Sequence, residues 1–210
     1  MPLYKTITHN STTSLFIWKI DESLSDLEAS ILLNEHSQNR IFSMRSESHK
    51  KGFLAVRKLL EVAGLSDFDM YYTEDGKPHL KDGRNITISH SFEFSVIAIS
   101  DTEIGVDIEK NRAKIQRIAS KFIGKEADYL TDEYLTEQLT VIWGAKESLF
   151  KIHPDGGLLF IKHLPIDAFN LYRKKTMGHI IKPPFRESYS IYFDIFDGYT
   201  LVYATNENKL

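Results

Sequence analysis

The chain has 210 residues, 42% of them hydrophobic, and a formal net charge of -3 at pH 7, so it can bury a core as one large domain or two small ones. The slight negative charge gives no reason to expect nucleic acid as the main partner, and the absence of cysteine excludes disulfides, thiolate catalysis and cysteine-ligated zinc. No stretch has the length and apolar character of a signal peptide or a membrane span, so we expect a cytoplasmic protein.

The first half of the chain predicts one strand, two helices and then further strands. Residues 14–20 are rich in β-branched and aromatic side chains, which favours a strand, and residues 25–33 show helical spacing. Residues 38–63 predict a longer helix that ends at Gly64. Three more strands are predicted, at residues 68–72, 85–91 and 94–100. A turn is predicted at residues 74–78, between the first and the second of them.

The second half follows a similar order. Residues 104–109 predict a strand, residues 113–122 an amphipathic helix, and residues 133–152 a long helix that is broken at residues 154–157. The remaining strands are predicted at residues 158–162, 166–172, 189–196 and 199–205. Residues 173–188, which contain two prolines, predict an irregular connection.

A weak internal repeat relates the two halves. Trp18 and Asp107 are 89 residues apart (107 − 18), and so are Arg57 and Lys146 (146 − 57). At this offset, the predicted strand and long helix of the first half align with those of the second half. Chance similarity between α+β segments is the alternative. We predict an α+β fold of two pseudo-symmetric halves, residues 1–101 and residues 102–210, each a small, mainly antiparallel sheet packed on a long helix.

Three carboxylates in the second half form the candidate reactive site. Asp107 and Glu109 are two residues apart, so a strand points both side chains to one face. Glu147 lies on the long helix, with Trp143 and Lys151 on its face at a spacing of four. Three carboxylates suit Mg²⁺, which takes oxygen ligands. The alternative is that an Asp-x-Glu at a strand end is simply solvated.

Two lysines beside these carboxylates indicate an anionic substrate. Lys146 and Lys151 could neutralise phosphate oxygens together with a metal ion. The alternative is an ordinary surface pair between Lys151 and Glu147, worth about 0.2–0.5 kcal/mol.

The motifs of the first half are individually weak. Gly76, Lys77 and Pro78 are typical of a turn, and Ser89 and His90 end a predicted strand, where a lone histidine is more often structural. The sequence shows no nucleophile elbow, no Walker loop and no Gly-x-Gly-x-x-Gly motif, and we predict no Ser–His–Asp nucleophile set.

Four short motifs occur in a recognisable order along the chain. They are Gly-Lys-Pro-x-Leu at residues 76–80, Ile-Ser-His-Ser at 88–91, Gly-Val-Asp-Ile-Glu at 105–109 and Trp-x-x-Lys-Glu-Ser-x-x-Lys at 143–151. Together they resemble the signature of the 4′-phosphopantetheinyl transferases of the Sfp type. The last two motifs are specific as a pair, and the resemblance covers residues 40–158.

The resemblance implies an enzyme that moves the 4′-phosphopantetheine arm of coenzyme A to a serine of an apo carrier protein. The reaction would depend on Mg²⁺ and release adenosine 3′,5′-bisphosphate. By position, Asp107, Glu109 and Glu147 would hold the metal, and Glu147, directly or through a metal-bound water, would help deprotonate the serine. Lys146 and Lys151 would stabilise the phosphate and the leaving group.

The resemblance also implies that coenzyme A lies in a cleft between a nucleotide-binding first half and a catalytic second half. His90, with Lys50 or Lys51, would bind the 3′-phosphate. The resemblance also implies that Ser89 contacts coenzyme A and that the turn at Gly76, Lys77 and Pro78 lines the adenine side of the site.

For the carrier, we expect an acidic helix to dock on the helix after Glu109. The candidate residues are Ile118, Lys121, Phe122 and Lys125. The alternative is that Ile118 and Phe122 belong to the core.

Three departures from the family pattern affect nucleotide contacts and carrier docking rather than the metal carboxylates. Thr87 stands where an asparagine often precedes Ile-Ser-His-Ser, and lysines stand where an arginine usually meets the 3′-phosphate. The family usually has a Gly-x-Gly soon after the lysine that corresponds to Lys151, whereas the glycines of this chain come later, at residues 156 and 157.

Two other functions stay open: a non-catalytic relative that binds coenzyme A or a carrier, and an Mg²⁺-dependent coenzyme A phosphohydrolase. The pathway of the carrier, whether for fatty acids, polyketides or peptides, also stays open. We expect a monomer, because one chain carries both halves, and no nucleic acid or membrane partner.

Overall fold

The computed structural model describes residues 3–153 and 157–206. The chain divides into two compact units, Met1–Asp101 and Thr102–Leu210. Each unit contains a four-stranded antiparallel sheet with helices packed against it. The predicted α+β architecture is therefore confirmed.

The first unit is built on the sheet β1-β2-β6-β5. Its strands are β1 (Leu3–Thr8), β2 (Thr13–Lys19), β5 (Asn85–Ser91) and β6 (Phe94–Ser100), and a separate pair is β3 (Met70–Tyr72) with β4 (Pro78–Leu80). Its helices are α1 (Leu24–Ala29), α2 (Glu35–Ser43) and α3 (Glu47–Val62). Trp18, Leu59 and Ile97 are among the residues that form the core where α3 packs on β2 and β6.

The single helix predicted for residues 38–63 is in fact two helices. Met44 has an extended backbone, and the side chain of Ser46 accepts a hydrogen bond from the backbone N–H of His49 at the start of α3. A serine at this position satisfies one of the backbone donors that a helix start leaves without a partner. The break aligns α3 for packing on the sheet, while α2 starts separately at the cap residue Asn34.

The second unit is built on the sheet β7-β10-β9-β8. Its strands are β7 (Ile104–Lys110), β8 (Lys175–Lys182), β9 (Phe185–Phe196) and β10 (Tyr199–Thr205). Its helices are α4 (Lys114–Ile118), α5 (Leu135–Ile152) and α6 (Phe160–His163). The helix α5 packs on β7 and β10, and Ile142, Leu149 and Val202 lie in the core between them.

Three predictions in the second unit are wrong. The stretch 158–162 contains the short helix α6 rather than a strand, and residues 166–172 contribute only an isolated bridge between Ile166 and Gly178. The supposedly irregular stretch 173–188 contains β8 and the start of β9. Buried residues alternate along β8 at Thr176, Gly178 and Ile180, which is the period-two pattern of a half-buried strand.

The predicted amphipathic helix at residues 113–122 is also shorter than expected. It consists of α4 followed by a 3-10 turn, Ala119–Lys121. Phe122 is 0% exposed and Ile118 packs against the core, so the alternative that these two residues belong to the core is the correct one. Part of the predicted break after α5, residues 154–156, lies outside the described residues. Among the residues that are described, no helix has the length and apolar character required to cross a membrane.

Candidate active site

The site is built where α5 lies directly on β7. A Cβ atom on Gly105 would lie 1.9 Å from the carbonyl oxygen of Ser148, so only glycine allows the helix backbone this close. A Cβ atom on Gly144 would lie 2.7 Å from Cγ2 of Val202 and 3.6 Å from Oδ2 of Asp107. Because side chains alternate along a strand, Asp107 faces the same helix as Gly105. Two glycines thus bring the strand carboxylate against α5.

Lys151 reaches from the helix to the strand. Its Nζ donates to Oδ1 of Asp107 at 3.0 Å and to the carbonyl oxygen of Val106 at 2.7 Å. The Asp107 side chain is largely buried, and that of Lys151 is 28% exposed. The ammonium group therefore pairs across to β7, and the alternative of a surface pair with Glu147 on the same helix is wrong.

The electrostatic environment of Glu147 connects the three predicted carboxylates. Burial raises the pKa of this half-buried carboxyl to about 7, and the negative charge of Asp107 raises it next. The ammonium of Lys151 opposes the shift, and Glu109 adds to it. A carboxyl group with a pKa near 7 can both take up and release a proton under neutral conditions.

The donor chemistry of Asp107, Glu109 and Glu147 fits a hard divalent cation, because all three supply carboxylate oxygens. Their geometry does not form a preformed cluster. Within residues 3–153 and 157–206, no three acidic or histidine side chains converge closely enough to hold a metal as they stand. Lys151 supplies the positive charge at one oxygen of Asp107. The metal assignment therefore stays a proposal.

Lys146 does not join this site. Its side chain is 0% exposed and that of Glu126 is 1% exposed, and Nζ lies 2.7 Å from Oε1 of Glu126. Nζ also donates to the carbonyl oxygens of Phe122 and Phe160, at 2.6 and 3.1 Å. These three contacts use every N–H of the ammonium group, which leaves none for a phosphate.

Glu126, which sequence reasoning missed, anchors this second cluster. Burial alone would raise the pKa of its carboxyl, but the hydrogen bonds from Lys146 and from the backbone N–H of Gly124 outweigh burial and lower it. Oε1 of Glu126, the oxygen that Lys146 contacts, also accepts a hydrogen bond from the backbone N–H of Ile166, and Oε2 accepts the one from Gly124. Glu126 lies in a short 3-10 segment, where no periodicity marks a buried acid.

In the first unit, the structure brings His90 on β5 against α3. A Cβ atom on Gly52 would lie 2.9 Å from Cδ2 of His90, so this glycine makes room for the imidazole. The ring centroid of His49 lies 6.0 Å from that of His90. Lys50 and Lys51 are half-buried on the same helix, where Nζ of Lys51 lies 3.9 Å from Oε1 of Glu47, and their place in the phosphate site stays a prediction.

The turn Gly76-Lys77-Pro78 closes the β3–β4 pair. Gly76 has a φ of +83°, which favours glycine, and the carbonyl oxygen of Lys77 accepts a hydrogen bond from the N–H of Thr73 at 3.0 Å. Ser89, the remaining predicted contact, is buried on β5. The turn and Ser89 lie on different elements, and their nucleotide roles stay predictions.

A serine, a histidine and an aspartate contact one another in the second unit. His179 Nδ1 lies 2.8 Å from Oγ of Ser188, and its Nε2 lies 3.1 Å from Oδ1 of Asp167. His179 and Ser188 are paired across β8 and β9, and the Asp167 side chain is 57% exposed. Strand register accounts for the contact, and solvent screens the carboxylate, so we assign it no catalytic role.

Comparison with known proteins places these features in a family. The 4′-phosphopantetheinyl transferase superfamily matches residues 103–202, which contain the whole Asp107, Glu147 and Lys151 site. The chain is 30% identical over 168 residues to the 4′-phosphopantetheinyl transferase ffp of Bacillus subtilis, covering 72% of this chain and 73% of that protein.

Two further relatives show similar identity over shorter shares. The 4′-phosphopantetheinyl transferase gsp of Aneurinibacillus migulanus is 30% identical over 70% of this chain and 64% of its own length. The 4′-phosphopantetheinyl transferase Sfp of Bacillus subtilis (strain 168) is 33% identical over 63% of this chain and 62% of its own length. The chain therefore spans less than two thirds of these two relatives. It belongs to the 4′-phosphopantetheinyl transferase superfamily, Sfp type, as the four motifs predicted.

Proposed function

We propose that the protein transfers 4′-phosphopantetheine from coenzyme A to a serine hydroxyl of an apo carrier protein, and that adenosine 3′,5′-bisphosphate is released. The observation that carries this proposal is the contact between α5 and β7, where Nζ of Lys151 donates to Oδ1 of Asp107 at 3.0 Å. Glu147 lies one turn before Lys151 on α5, and the charges of Asp107 and Lys151 both act on its pKa. Family membership supports the reaction class.

In this mechanism, Glu147 accepts the proton of the acceptor serine. The serine oxygen forms a bond to the phosphorus that carries the pantetheine arm, and the bond from that phosphorus to the bridging oxygen breaks. The electron pair leaves with the adenosine bisphosphate. A bound cation would lower the pKa of Glu147 from its raised value, so the carboxylate would be ionised at neutral pH and able to accept the proton.

Lys151 is suited to stabilise the charge that develops on the leaving phosphate. Its ammonium group has three N–H donors, and two of them are used by Val106 and Asp107. The third can donate to a substrate oxygen because the side chain is partly exposed. Lys146 is left out of this role, since its three donors are used inside the second unit.

Asp107, Glu109 and Glu147 are the residues that would hold Mg²⁺. When bound, the metal supplies neutralisation of the pyrophosphate charge. In the absence of a divalent ion, the carboxylates repel both each other and the substrate phosphates, and Lys151 alone offsets only part of this repulsion.

We assign the 3′-phosphate of coenzyme A to His90, Lys50 and Lys51 of the first unit. The proximity of His49 and His90, together with two half-buried lysines, supports this assignment. The turn at Gly76, Lys77 and Pro78 is the proposed adenine contact.

The proposed activity is tested by incubating the protein with coenzyme A, Mg²⁺ and a panel of purified apo acyl and peptidyl carriers. We expect at least one carrier to gain the mass of one phosphopantetheine group, and chelation of the divalent ion to abolish the gain. Free phosphopantetheine without carrier modification would indicate a phosphohydrolase. No product with any carrier would favour a non-catalytic binding relative.

The role of Glu147 is tested by Glu147→Gln, which keeps the shape of the side chain but removes its charge and basicity. We expect turnover to fall by about 10²–10⁴-fold while the protein stays folded by circular dichroism. Glu137→Gln, near the start of the same helix, is the matched control and should retain wild-type turnover. A folded Glu147→Gln protein with near wild-type turnover would refute the assignment.

A further inference from the structure

Phe92 has a backbone conformation that a bulky residue rarely adopts. It is the first of the two residues in the turn between β5 and β6, because Ser91 pairs with Phe94 across that turn. Its φ is +50°, in the left-handed region, where turns of this length usually carry glycine, asparagine or aspartate. The conformation therefore costs folding free energy at this position.

The side chain of Phe92 is not enclosed in the core. Its neighbours Ser91 and Phe94 are 8% and 1% exposed, whereas Phe92 is 46% exposed. A single exposed aromatic residue is ordinary on a protein surface. A residue that is strained and also half exposed adds little to stability, however, and strained positions are concentrated at ligand-binding sites.

The other residues with this backbone conformation have polar side chains. Within residues 3–153 and 157–206, the non-glycine residues with a positive φ are Phe92, Lys174 and Asp197. Aspartate tolerates the left-handed region because its short side chain can form hydrogen bonds locally, and Lys174 pairs with Asp194 at 2.6 Å. Phenylalanine has no polar side-chain atom, so its strain has no such local explanation.

Phe92 lies at the end of the first unit that carries the proposed coenzyme A contacts. His90 is two residues before it, which is at most about 7 Å along an extended chain. The strand β4 contacts β5 and is joined to it by residues 81–84 alone, so the chain reverses between them. Pro78, at the start of β4, therefore lies toward the same end of β5 as His90 and Phe92.

We propose that the ring of Phe92 stacks on the adenine base of coenzyme A. One ribose carries both the adenine and the 3′-phosphate, so a phosphate bound at His90 brings the base close to the β5–β6 turn. An exposed aromatic ring supplies a face on which a purine stacks. The turn at Gly76, Lys77 and Pro78 then meets the edge of the same base. The inference rests on the proposed function.

The test is Phe92→Gly, which removes both the strain and the ring, compared with Phe92→Tyr, which keeps both. The matched control is Lys174→Gly, at a residue of the second unit with a φ of +51°. For each full-length protein, the melting temperature is measured without ligand. The Kd values for coenzyme A and for adenosine 3′,5′-bisphosphate are measured by titration calorimetry with Mg²⁺ and without a carrier.

We expect Phe92→Gly to melt about 2–4 °C above the wild type, because glycine adopts this φ without strain. It should nevertheless bind both ligands about tenfold more weakly, because the stacking contact is lost. Phe92→Tyr should bind both ligands as the wild type does, and Lys174→Gly should leave both Kd values unchanged. A purely structural role would not weaken binding in a more stable protein.

The outcomes separate this inference from the proposed function. Unchanged binding of both ligands by Phe92→Gly, with an active wild type, would overturn the stacking contact and leave the activity standing. Weaker binding of coenzyme A alone would also overturn it, since the ring would then contact the pantetheine arm. A wild type that needs Phe92 for both ligands but modifies no carrier would support the contact and refute the activity. A wild type that binds neither ligand would overturn both.

Discussion

At the scale of single residues, Glu147 is held in an environment that opposes its ionisation. Burial contributes most to its raised pKa, and the neighbouring Asp107 contributes next. Lys151 is the ammonium group that limits the shift, and it also forms a hydrogen bond with Asp107. The same three side chains therefore set both the proton affinity of the proposed base and the charge of the proposed metal site.

This environment predicts that the metal-free protein loses folding stability as the pH rises. The folded pKa of Glu147 is about 7, above its ordinary value of 4.5, so the folded state binds this proton more tightly than the unfolded state. The favourable contribution of the protonated group is complete below pH 4.5 and is lost as the pH rises to 7. In the presence of a chelator, Glu147→Gln should therefore melt above the wild type at pH 8 and close to it at pH 5.

The measurement is the melting temperature of both proteins across this pH range. Added Mg²⁺ should raise the melting temperature of the wild type more than that of Glu147→Gln, because ligand binding stabilises the folded state. A melting difference that is the same at pH 5 and pH 8 would contradict the assigned ionisation.

At the scale of elements, the contact between α5 and β7 depends on two glycines. Gly105→Ala would place a Cβ atom 1.9 Å from a backbone carbonyl oxygen, which cannot move without shifting the helix. We expect a loss of about 3 kcal/mol or more in the free energy of unfolding, measured with urea. Turnover should fall with it, because Asp107 and Glu147 are positioned by this contact.

Gly52→Ala is the matched control for that substitution. The three atoms nearest to its new Cβ atom would all belong to the imidazole of His90, the closest at 2.9 Å, and a side chain can adjust more easily than a backbone. The stability should change by less than about 1 kcal/mol, because alanine also favours the helix. Equal destabilisation by the two substitutions would show that the backbone contact at Gly105 is not the special feature.

The buried ion pair between Lys146 and Glu126 connects α5 to the 3-10 segment Lys125–Tyr129, which precedes it. Lys146→Met should cost about 3–5 kcal/mol, because it leaves the carboxylate of Glu126 buried without its cation. Lys146→Met/Glu126→Gln should recover part of this loss. Turnover per folded molecule should be retained in both variants, and a large loss of turnover in folded protein would instead support the phosphate-binding role expected from sequence.

At the scale of the whole molecule, the proposal divides the work between the two units. The carboxylates and Lys151 belong to the second unit, and the proposed 3′-phosphate contacts His90, Lys50 and Lys51 belong to the first. The long helices α3 and α5 each carry a buried cation at the repeat offset, because Arg57 pairs with Asp67 as Lys146 pairs with Glu126. Only the cations are at equivalent places, because Asp67 follows Arg57 whereas Glu126 precedes Lys146 in sequence, so the repeat stays a prediction.

This division predicts that the two units affect different kinetic constants. His90→Ala should raise the KM for coenzyme A by about tenfold while its effect on dephospho-coenzyme A is small, because only the former carries the 3′-phosphate. Turnover at saturation should stay close to the wild type. Equal effects on the two substrates would remove His90 from the 3′-phosphate site.

The sequence alone determined the class of fold and predicted Asp107, Glu109, Glu147 and Lys151 as candidate site residues. The alternation of Asp107 and Glu109 and the four-residue spacing from Glu147 to Lys151 are local patterns, so they are readable without a structure. The four motifs also identified the family, and the strands β5, β6 and β10 were located closely because their apolar runs are bounded by turns.

Only the tertiary structure decided which of the two candidate lysines is buried and which stays partly exposed beside Asp107. Lys146 and Lys151 are alike in sequence, but the first is enclosed by Glu126, Phe122 and Phe160, while the second reaches β7. The structure also decided that Phe122 is buried and Leu159 exposed, and that residues 158–162 form a helical turn. The physical reason is that a short apolar run fits either a strand or a helix, and burial depends on partners that are distant in sequence.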